Sequence, residues 1–426
     1  MAYSWDNARP LLGVALIILV CWIFSENRKR FPFLLTIGSL AVQAGLVLLL
    51  FAVPNSQGVL NGVSAAVDGL ASATAHGAQF VFGYLAGGDQ PFMLQQNVAA
   101  PFIFGFRVLP IILVICALAA LFWHWGILKW LTRAFGFFFE RTMGLGGALA
   151  LGVAANMFMG MVESAMVVRA YLDKLTRSEL FTLMAVGLAN VSGSTMVAYA
   201  LLLGPVLPNA AGHVLVASII STPAGILLSR ILIPDERGRG VKYDYSSDLK
   251  YQNSMDAIGR GVHDGAMVAV NVASFLIVFV SFVWLINNGL ALLPHLDGQP
   301  VTLQGLFGYV FSPVAYLIGI PWTEAHAAGG ILGTKLFLTE FVAFIDLGAI
   351  PRAAMSDRTR MILTYAVCGF ANVASVGILS GGLSILMPER RLEILSLAWK
   401  ALLPGFLATL MTAAVVAALP PQLFAH

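Results

Sequence analysis

Asn156-Met-Phe-Met-Gly160-Met-Val-Glu163-Ser164 opens the stretch that decides the fold, and Gly187-Leu-Ala-Asn190-Val-Ser192-Gly-Ser194-Thr195 closes it. The first motif sets a carboxylate deep in apolar sequence, and the second sets a polar, glycine-broken patch inside another apolar run. A carboxylate at the centre of a bilayer costs roughly 3 kcal/mol even on lenient insertion scales, so it normally faces a cavity or a partner. Glu163 is a candidate site residue on position alone.

The second half of the chain repeats the arrangement. Gly333-Thr-Lys335-Leu-Phe-Leu-Thr339-Glu340-Phe341 again sets a carboxylate among apolar residues, and Gly369-Phe370-Ala371-Asn372-Val373-Ala-Ser375 echoes the patch around Asn190. Glu163 precedes Asn190 by 27 positions, and Glu340 precedes Asn372 by 32. Polar-interrupted segments at matching places in two halves point to a midplane binding site in a repeat-built transporter.

Composition agrees with a membrane setting. Of 426 residues, 59% are hydrophobic and only 11% charged, where a soluble chain carries about a quarter charged residues. The reading is an all-α polytopic membrane protein. The net charge is +3 with no basic run, so no nucleic-acid polymer is expected as a partner. Cys21, Cys116 and Cys368 stand singly in apolar segments, without metal or disulfide spacing. No Ser/His dyad, His-Glu-x-x-His motif or paired aspartates at catalytic spacing appears, so no catalytic residue and no enzyme activity are assigned. Residues 11–24 lack a basic leader and a cleavage site, and read as a retained first span.

Charge placement sets the topology through the excess of Lys and Arg in cytoplasmic loops. Eight spans are expected, at 10–25, 31–53, 108–128, 180–203, 213–233, 266–293, 361–386 and 394–419, with re-entrant hairpins at 144–175 and 323–347. Non-helical backbone of that kind survives at membrane depth only under protein or beside a water-filled cavity. Residues 54–106 contain no Lys or Arg before position 107, and read as external interfacial helices. Both termini then lie outside. The expected units are 1–105 (N-terminal spans and interfacial region), 106–143 (a scaffold span with an amphipathic segment) and 144–233 (first repeat). A cytoplasmic linker at 234–265, a scaffold span at 266–301 and a second repeat at 302–426 complete the chain. Arg352, Arg358 and Arg360 break the pattern, because they fall in a nominally external loop.

Several of these motifs together resemble the concentrative nucleoside transporter family. They are Gly160-Met-Val-Glu163-Ser164, Leu175-Thr-Arg177-Ser-Glu179-Leu180-Phe181, Gly333-Thr-Lys335 with Glu340-Phe341-Val342-Ala343, Cys368-Gly369-Phe370-Ala371-Asn372, and Ser312-Pro-Val-Ala-Tyr-Leu-Ile-Gly-Ile-Pro-Trp322. The likeness runs from about residue 100 to the C-terminus. It implies inverted repeats, a scaffold and an elevator-type transport domain, a homotrimer in the lipid bilayer of the inner membrane with periplasmic termini, and cation-driven nucleoside uptake without a covalent cofactor. By the same resemblance Glu163, with Met161 and Val162, faces the nucleobase. Glu340, Asn372 and Ser375 hold the ribose hydroxyls, and Phe370 packs on the ligand. A coupling sodium ion lies among Asn156, Asn190, the Val191 carbonyl and Thr195. Carboxylates accept charge-assisted bonds from hydroxyls, and asparagine both donates and accepts.

Plainer roles stand beside these. Asn190 and Asn372 can cap half-helices, Thr195 and Ser375 can bond their own helix, and Phe370 and Met161 can be packing. The chain also departs from the family pattern. The family usually reads Gly-Gln-Thr-Glu at the first hairpin tip, where this chain has Gly160-Met161-Val162-Glu163. A thioether and an isopropyl group thus replace the amide and hydroxyl that read the base, which opens a modified nucleoside or a nucleobase as alternative cargo. At the ion position Asn190 and Thr195 replace smaller or apolar residues and add oxygens, which favours Na+ over the alternative, H+.

Overall fold

The computed structural model describes residues 5–51, 56–91, 103–204, 206–235, 249–295 and 300–419, and every regular element among them is helical. Helices α1 (Trp5–Ile23) and α2 (Phe33–Phe51) lead to α3 (Ser56–Phe82). A short turn, α4 (Phe104–Arg107), precedes α5 (Leu109–His124). Gly126, at φ +85°, then turns the chain into the amphipathic α6 (Ile127–Met143), a left-handed conformation that glycine takes without strain.

The first repeat follows. Hairpin 1 consists of α7 (Gly147–Ala155), a break, and α8 (Glu163–Val167). A broken span, α9 (Arg177–Ala189) and α10 (Gly193–Leu203), comes next, closed by α11 (Ala210–Leu232). The long helix α12 (Ser254–Leu290) leads to the second repeat. There α13 (Leu303–Leu317) bends by 117° into α14 (Trp322–Phe337), which with α15 (Glu340–Ala349) forms hairpin 2. The broken span α16 (Asp357–Val367) and α17 (Val373–Leu386) and the closing helix α18 (Arg391–Ala418) complete it. The two closing helices, α11 and α18, pack on each other and on α9 as the buried centre, whereas α12 leaves most of its apolar surface exposed.

Local chemistry explains where the half-helices start. Thr176 and Glu179 form a reciprocal capping box at α9, with Thr176 N–H donating to Glu179 Oε2 at 2.9 Å. Ser192, Thr339, Ser356 and Asn372 cap α10, α15, α16 and α17 in turn, each accepting a backbone N–H three residues on. The breaks are therefore capped helix ends.

Six helical segments among the described residues are long and apolar enough to cross a membrane, or seven if the bent α13–α14 pair is one span. Of the eight expected spans, the first is a short apolar helix, and the seventh is split by its break into α16 and α17. Within the segment 54–106, expected to hold interfacial helices, residues 56–82 form one continuous helix of 27 residues. The linker is also shorter than expected. The span after it starts at Ser254, because Asn253 caps α12 through Asp256 N–H and Asp256 pairs with Arg260 one turn later. Residues 236–248 of the linker, 92–102 of the external segment and 420–426 lie outside the described residues.

Two of the three charges that broke the topological pattern, Arg358 and Arg360, act on helix ends. Arg360 is buried and donates to Leu347 O, Ile350 O and Pro351 O, satisfying the carbonyls at the end of α15. Arg358 donates to Ala417 O at the end of α18 and to Asn7. At the exit of hairpin 1, Arg390 does the same for Leu172 O and Leu175 O.

Candidate functional site

Both hairpin tips and both helix breaks converge on one cavity of about 250 Å³, walled on its other side by α5 and α12. Hairpin 1 contributes Met161, Val162 and Glu163, and hairpin 2 contributes Glu340. Phe370, Asn372 and Ser375 enter from the α16–α17 break, and Thr195 from the start of α10. Two carboxylates 177 positions apart in sequence thus face one space.

Glu340 is the more tightly held of the pair. Tyr199 Oη donates to its Oε1 at 2.7 Å, and Asn372 Nδ2 donates to its Oε2 at 2.5 Å. Asn372 also caps α17, its Oδ1 accepting from Ser375 N–H at 2.8 Å, so one amide serves both the carboxylate and the helix start. Each carboxylate oxygen keeps a lone pair for a further donor, which suits a vicinal diol. Tyr199 is fixed between the rings of Phe341 and Phe344, at centroid distances of 4.7 and 4.4 Å.

Glu163 sits in a tighter corner. A Cβ built on Gly160 would come within 2.0 Å of Glu163 Oε2, so a side chain there would push the carboxylate out of this position. Val162 packs against Gly382 of α17 and Met161 against Gly187 of α9. Both still line the cavity, as an apolar wall beside Glu163.

Asn156, Asn190 and Val191 do not line the cavity. They are buried behind it, where the hairpin 1 break meets the α9–α10 break. Gly193 N–H donates to Phe158 O at 3.1 Å, and Phe370 N–H donates to Asn190 O at 3.1 Å, so Asn190 also ties the two broken helices together. Asn190 Nδ2 donates to Thr222 Oγ1 at 2.8 Å, and its Oδ1 is buried without a hydrogen-bond partner. Asn156 Oδ1 accepts from Ser164 at 2.7 Å, and its Nδ2 is likewise unpartnered. Thr195 donates to Ser192 O at 3.0 Å, the local helix-start bond expected of it.

Three groups escaped the sequence reading. Tyr199 stands four residues after Thr195 on the same face of α10, a spacing that was legible. Ser192 and Ser194 line the cavity as linked hydroxyls, 2.9 Å apart. Asp264 and Asn271, on α12, carried no local signal.

The comparisons with known proteins bear on this geometry. Three family models cover most of the chain: Na+ dependent nucleoside transporter N-terminus over residues 12–85, nucleoside recognition (Gate) over 105–206, and Na+ dependent nucleoside transporter C-terminus over 213–417. The nucleoside permease NupC of Helicobacter pylori is 32% identical over 410 residues, covering 95% of this chain and 96% of that protein. The chain belongs to the concentrative nucleoside transporter family. It is a multi-pass membrane transporter of that family and not an enzyme. A second relative, the uncharacterized transporter YutK of Bacillus subtilis, is 36% identical over 410 residues, 95% of this chain and 97% of that one. Among solved structures, CNTnw in an inward-facing substrate-bound state superposes with a TM-score of 0.88 at 32% identity, covering 97% of each chain. A CNTnw variant in an outward-facing state gives 0.89 at the same identity and coverage. The transporter fold and the family are thus shared across both conformations of that relative.

Proposed function

We propose that this chain is a sodium-coupled nucleoside symporter that imports nucleosides across the inner membrane by an elevator-type movement. The observation that carries the reading is the single cavity into which Glu163, Glu340 and Asn372 all project. Glu340, oriented by Tyr199 and Asn372, accepts from the ribose hydroxyls. Asn372 and Ser375 complete that end, and Phe370 offers its ring to the sugar or base. Glu163 accepts from an N–H of the base, against the wall formed by Met161 and Val162.

The coupling ion is assigned to the buried junction behind the cavity. Sodium wants hard oxygen ligands, and unwound backbone with amide side chains supplies them. Asn190 Oδ1 is already an unpartnered acceptor there. The Ser164 hydroxyl has one proton but two acceptors in reach, Asn156 Oδ1 at 2.7 Å and Met161 O at 3.2 Å. Turning the Asn156 amide over satisfies both contacts, because Nδ2 then donates to Ser164 while Ser164 donates to Met161 O. That leaves Asn156 Oδ1, rather than an N–H, for a cation. With the Val191 carbonyl and Thr195 these make the proposed sodium site. The Na+ dependent description of the matching family models supports sodium in preference to protons. A sodium/nucleoside cotransporter of Sus scrofa, 29% identical over 451 residues, supports the same choice.

Residues 106–143 and 266–301 are assigned to the scaffold, and the two repeats to the moving part. The exposed apolar surface of α12 suits lipid and the neighbouring copies of a homotrimer. Positive loop charge keeps both termini on the periplasmic side.

The test is uptake of labelled uridine and adenosine into proteoliposomes under an inward sodium gradient, an inward proton gradient or neither, for wild type and Glu340→Gln. Sodium-driven uptake that the substitution abolishes supports the reading. A folded wild-type protein that takes up neither nucleoside under any gradient overturns it.

A further inference from the structure

Lys335 is fully buried in the last turn of α14, five residues before Glu340. It makes no hydrogen bond to that carboxylate, which is bonded by Tyr199 and Asn372 instead. Its Nζ donates to Ala366 O at 2.7 Å and to Thr409 Oγ1 at 2.5 Å. Ala366 lies in the last turn of α16, and Thr409 lies on α18. Thr409 passes its own proton to Phe406 O at 2.8 Å, which leaves its lone pairs for the ammonium. The Phe406 ring, 5.2 Å from Nζ, adds a cation–π contact. A buried ammonium persists only where such acceptors surround it.

The first repeat joins the corresponding three elements. Asn156 ends α7, as Lys335 nearly ends α14, and it abuts Gly187 in the last turn of α9. Asn190, at the end of the half-helix α9, bonds Thr222 of α11, whereas in the second repeat the bond to the closing helix, at Thr409 of α18, comes from the hairpin residue Lys335. The two closing helices meet beside these threonines through Ser221 and Thr412, 3.1 Å apart. In both repeats, then, the first hairpin helix ends against the carbonyl end of a half-helix, with a threonine of the closing helix alongside. Helix C-termini carry partial negative charge and favour a cation. The second repeat has a side-chain cation at this place. The first has two asparagines, each with a buried polar atom unpartnered.

We infer that Lys335 is the second repeat's tethered counterpart of the coupling ion, a positioning residue that holds hairpin 2 to α16 and α18 through the whole transport cycle. This rests on the ion-coupled reading above. The ribose end of the site, Glu340 with Asn372, is then assembled without dissolved cation, and only the hairpin 1 end waits for sodium.

The test compares full-length wild type with Lys335→Met, which keeps length and volume and removes the charge. Two quantities are read: nucleoside KM at saturating sodium, and the sodium half-saturation of the melting shift in nucleoside-free protein. The expected result is a KM raised at least about tenfold, the scale of a lost charged hydrogen bond, with sodium half-saturation unchanged within about twofold, as for independent sites. An unchanged KM, or a KM and a half-saturation that move together, overturns the assignment. If Lys335→Met does not fold, Thr409→Val removes one acceptor and leaves the charge in place. The same split is expected at about threefold, smaller because Nζ keeps its bond to Ala366 O, and its absence overturns the assignment equally. Wild-type uptake that ignores sodium is a different result, because it overturns the coupling reading itself.

Discussion

Asn372 holds Glu340 with one end of its amide and the first turn of α17 with the other, at 2.5 and 2.8 Å. The helix break and the carboxylate are therefore set by a single side chain. Asn372→Ala loses both bonds, so nucleoside KM is expected to rise about tenfold or more, with a modest loss of stability of about 1 kcal/mol from the missing cap. Uptake kinetics and melting on the same preparation separate the two effects.

Tyr199→Phe keeps the ring between Phe341 and Phe344 and removes only the hydroxyl that donates to Glu340 at 2.7 Å. The carboxylate loses one of its two holders. We expect a rise in KM of about tenfold with the melting temperature little changed. An unaltered KM would show that Tyr199 does not position Glu340.

Asn190 has an unpartnered buried Oδ1 at the proposed ion junction. Asn190→Leu removes that oxygen, and sodium half-saturation should rise by about tenfold while KM at saturating sodium moves less. Sodium titration of uptake decides it. A half-saturation equal to wild type removes Asn190 from the ligand set.

In the proposed site the Met161 and Val162 side chains offer the base no polar atom, so a base carbonyl buried against them goes unpaired, at roughly 1–3 kcal/mol. The double variant Met161→Gln with Val162→Thr restores the common family pair. Competition among uridine, cytidine and adenosine should show a changed order, with uridine, which has two ring carbonyls, gaining by about tenfold. An unchanged order would place base selection elsewhere in the cavity.

Glu26, in the α1–α2 turn, accepts from Arg177 and from Lys400 at 2.9 Å. The Arg177 hydrogen bond, foremost, and Lys400 hold its carboxyl down from 4.5 to about 2. A depressed acid stabilises the fold fully above its ordinary value and loses that contribution as pH falls through the folded one. The melting difference between wild type and Glu26→Gln should thus be constant above pH 4.5 and vanish as pH falls towards about 2. A difference that persists at the acid end would remove the ion cluster as its cause.

Much of the candidate site was legible because a bilayer makes polar interruptions conspicuous one residue at a time. Glu163, Glu340, Asn190 and Asn372 each stand out against apolar neighbours, and the capping chemistry that ends and starts their half-helices is local in sequence. The early start of α12 was readable in the same way, from Asn253 and Asp256.

What sequence by itself determined, then, is an all-helical transporter with two hairpins, two broken spans and two carboxylates set among apolar residues in matching places. Only the tertiary structure decided which atoms meet. Tyr199 reaches Glu340 from 141 positions away, Lys335 turns from Glu340 to Thr409, Asn156 and Asn190 sit behind the cavity, and Arg360 closes a helix end. Those pairings depend on which helix faces pack together. A local pattern of residues marks that a buried polar group needs a partner, but only the packed helices say which one it finds.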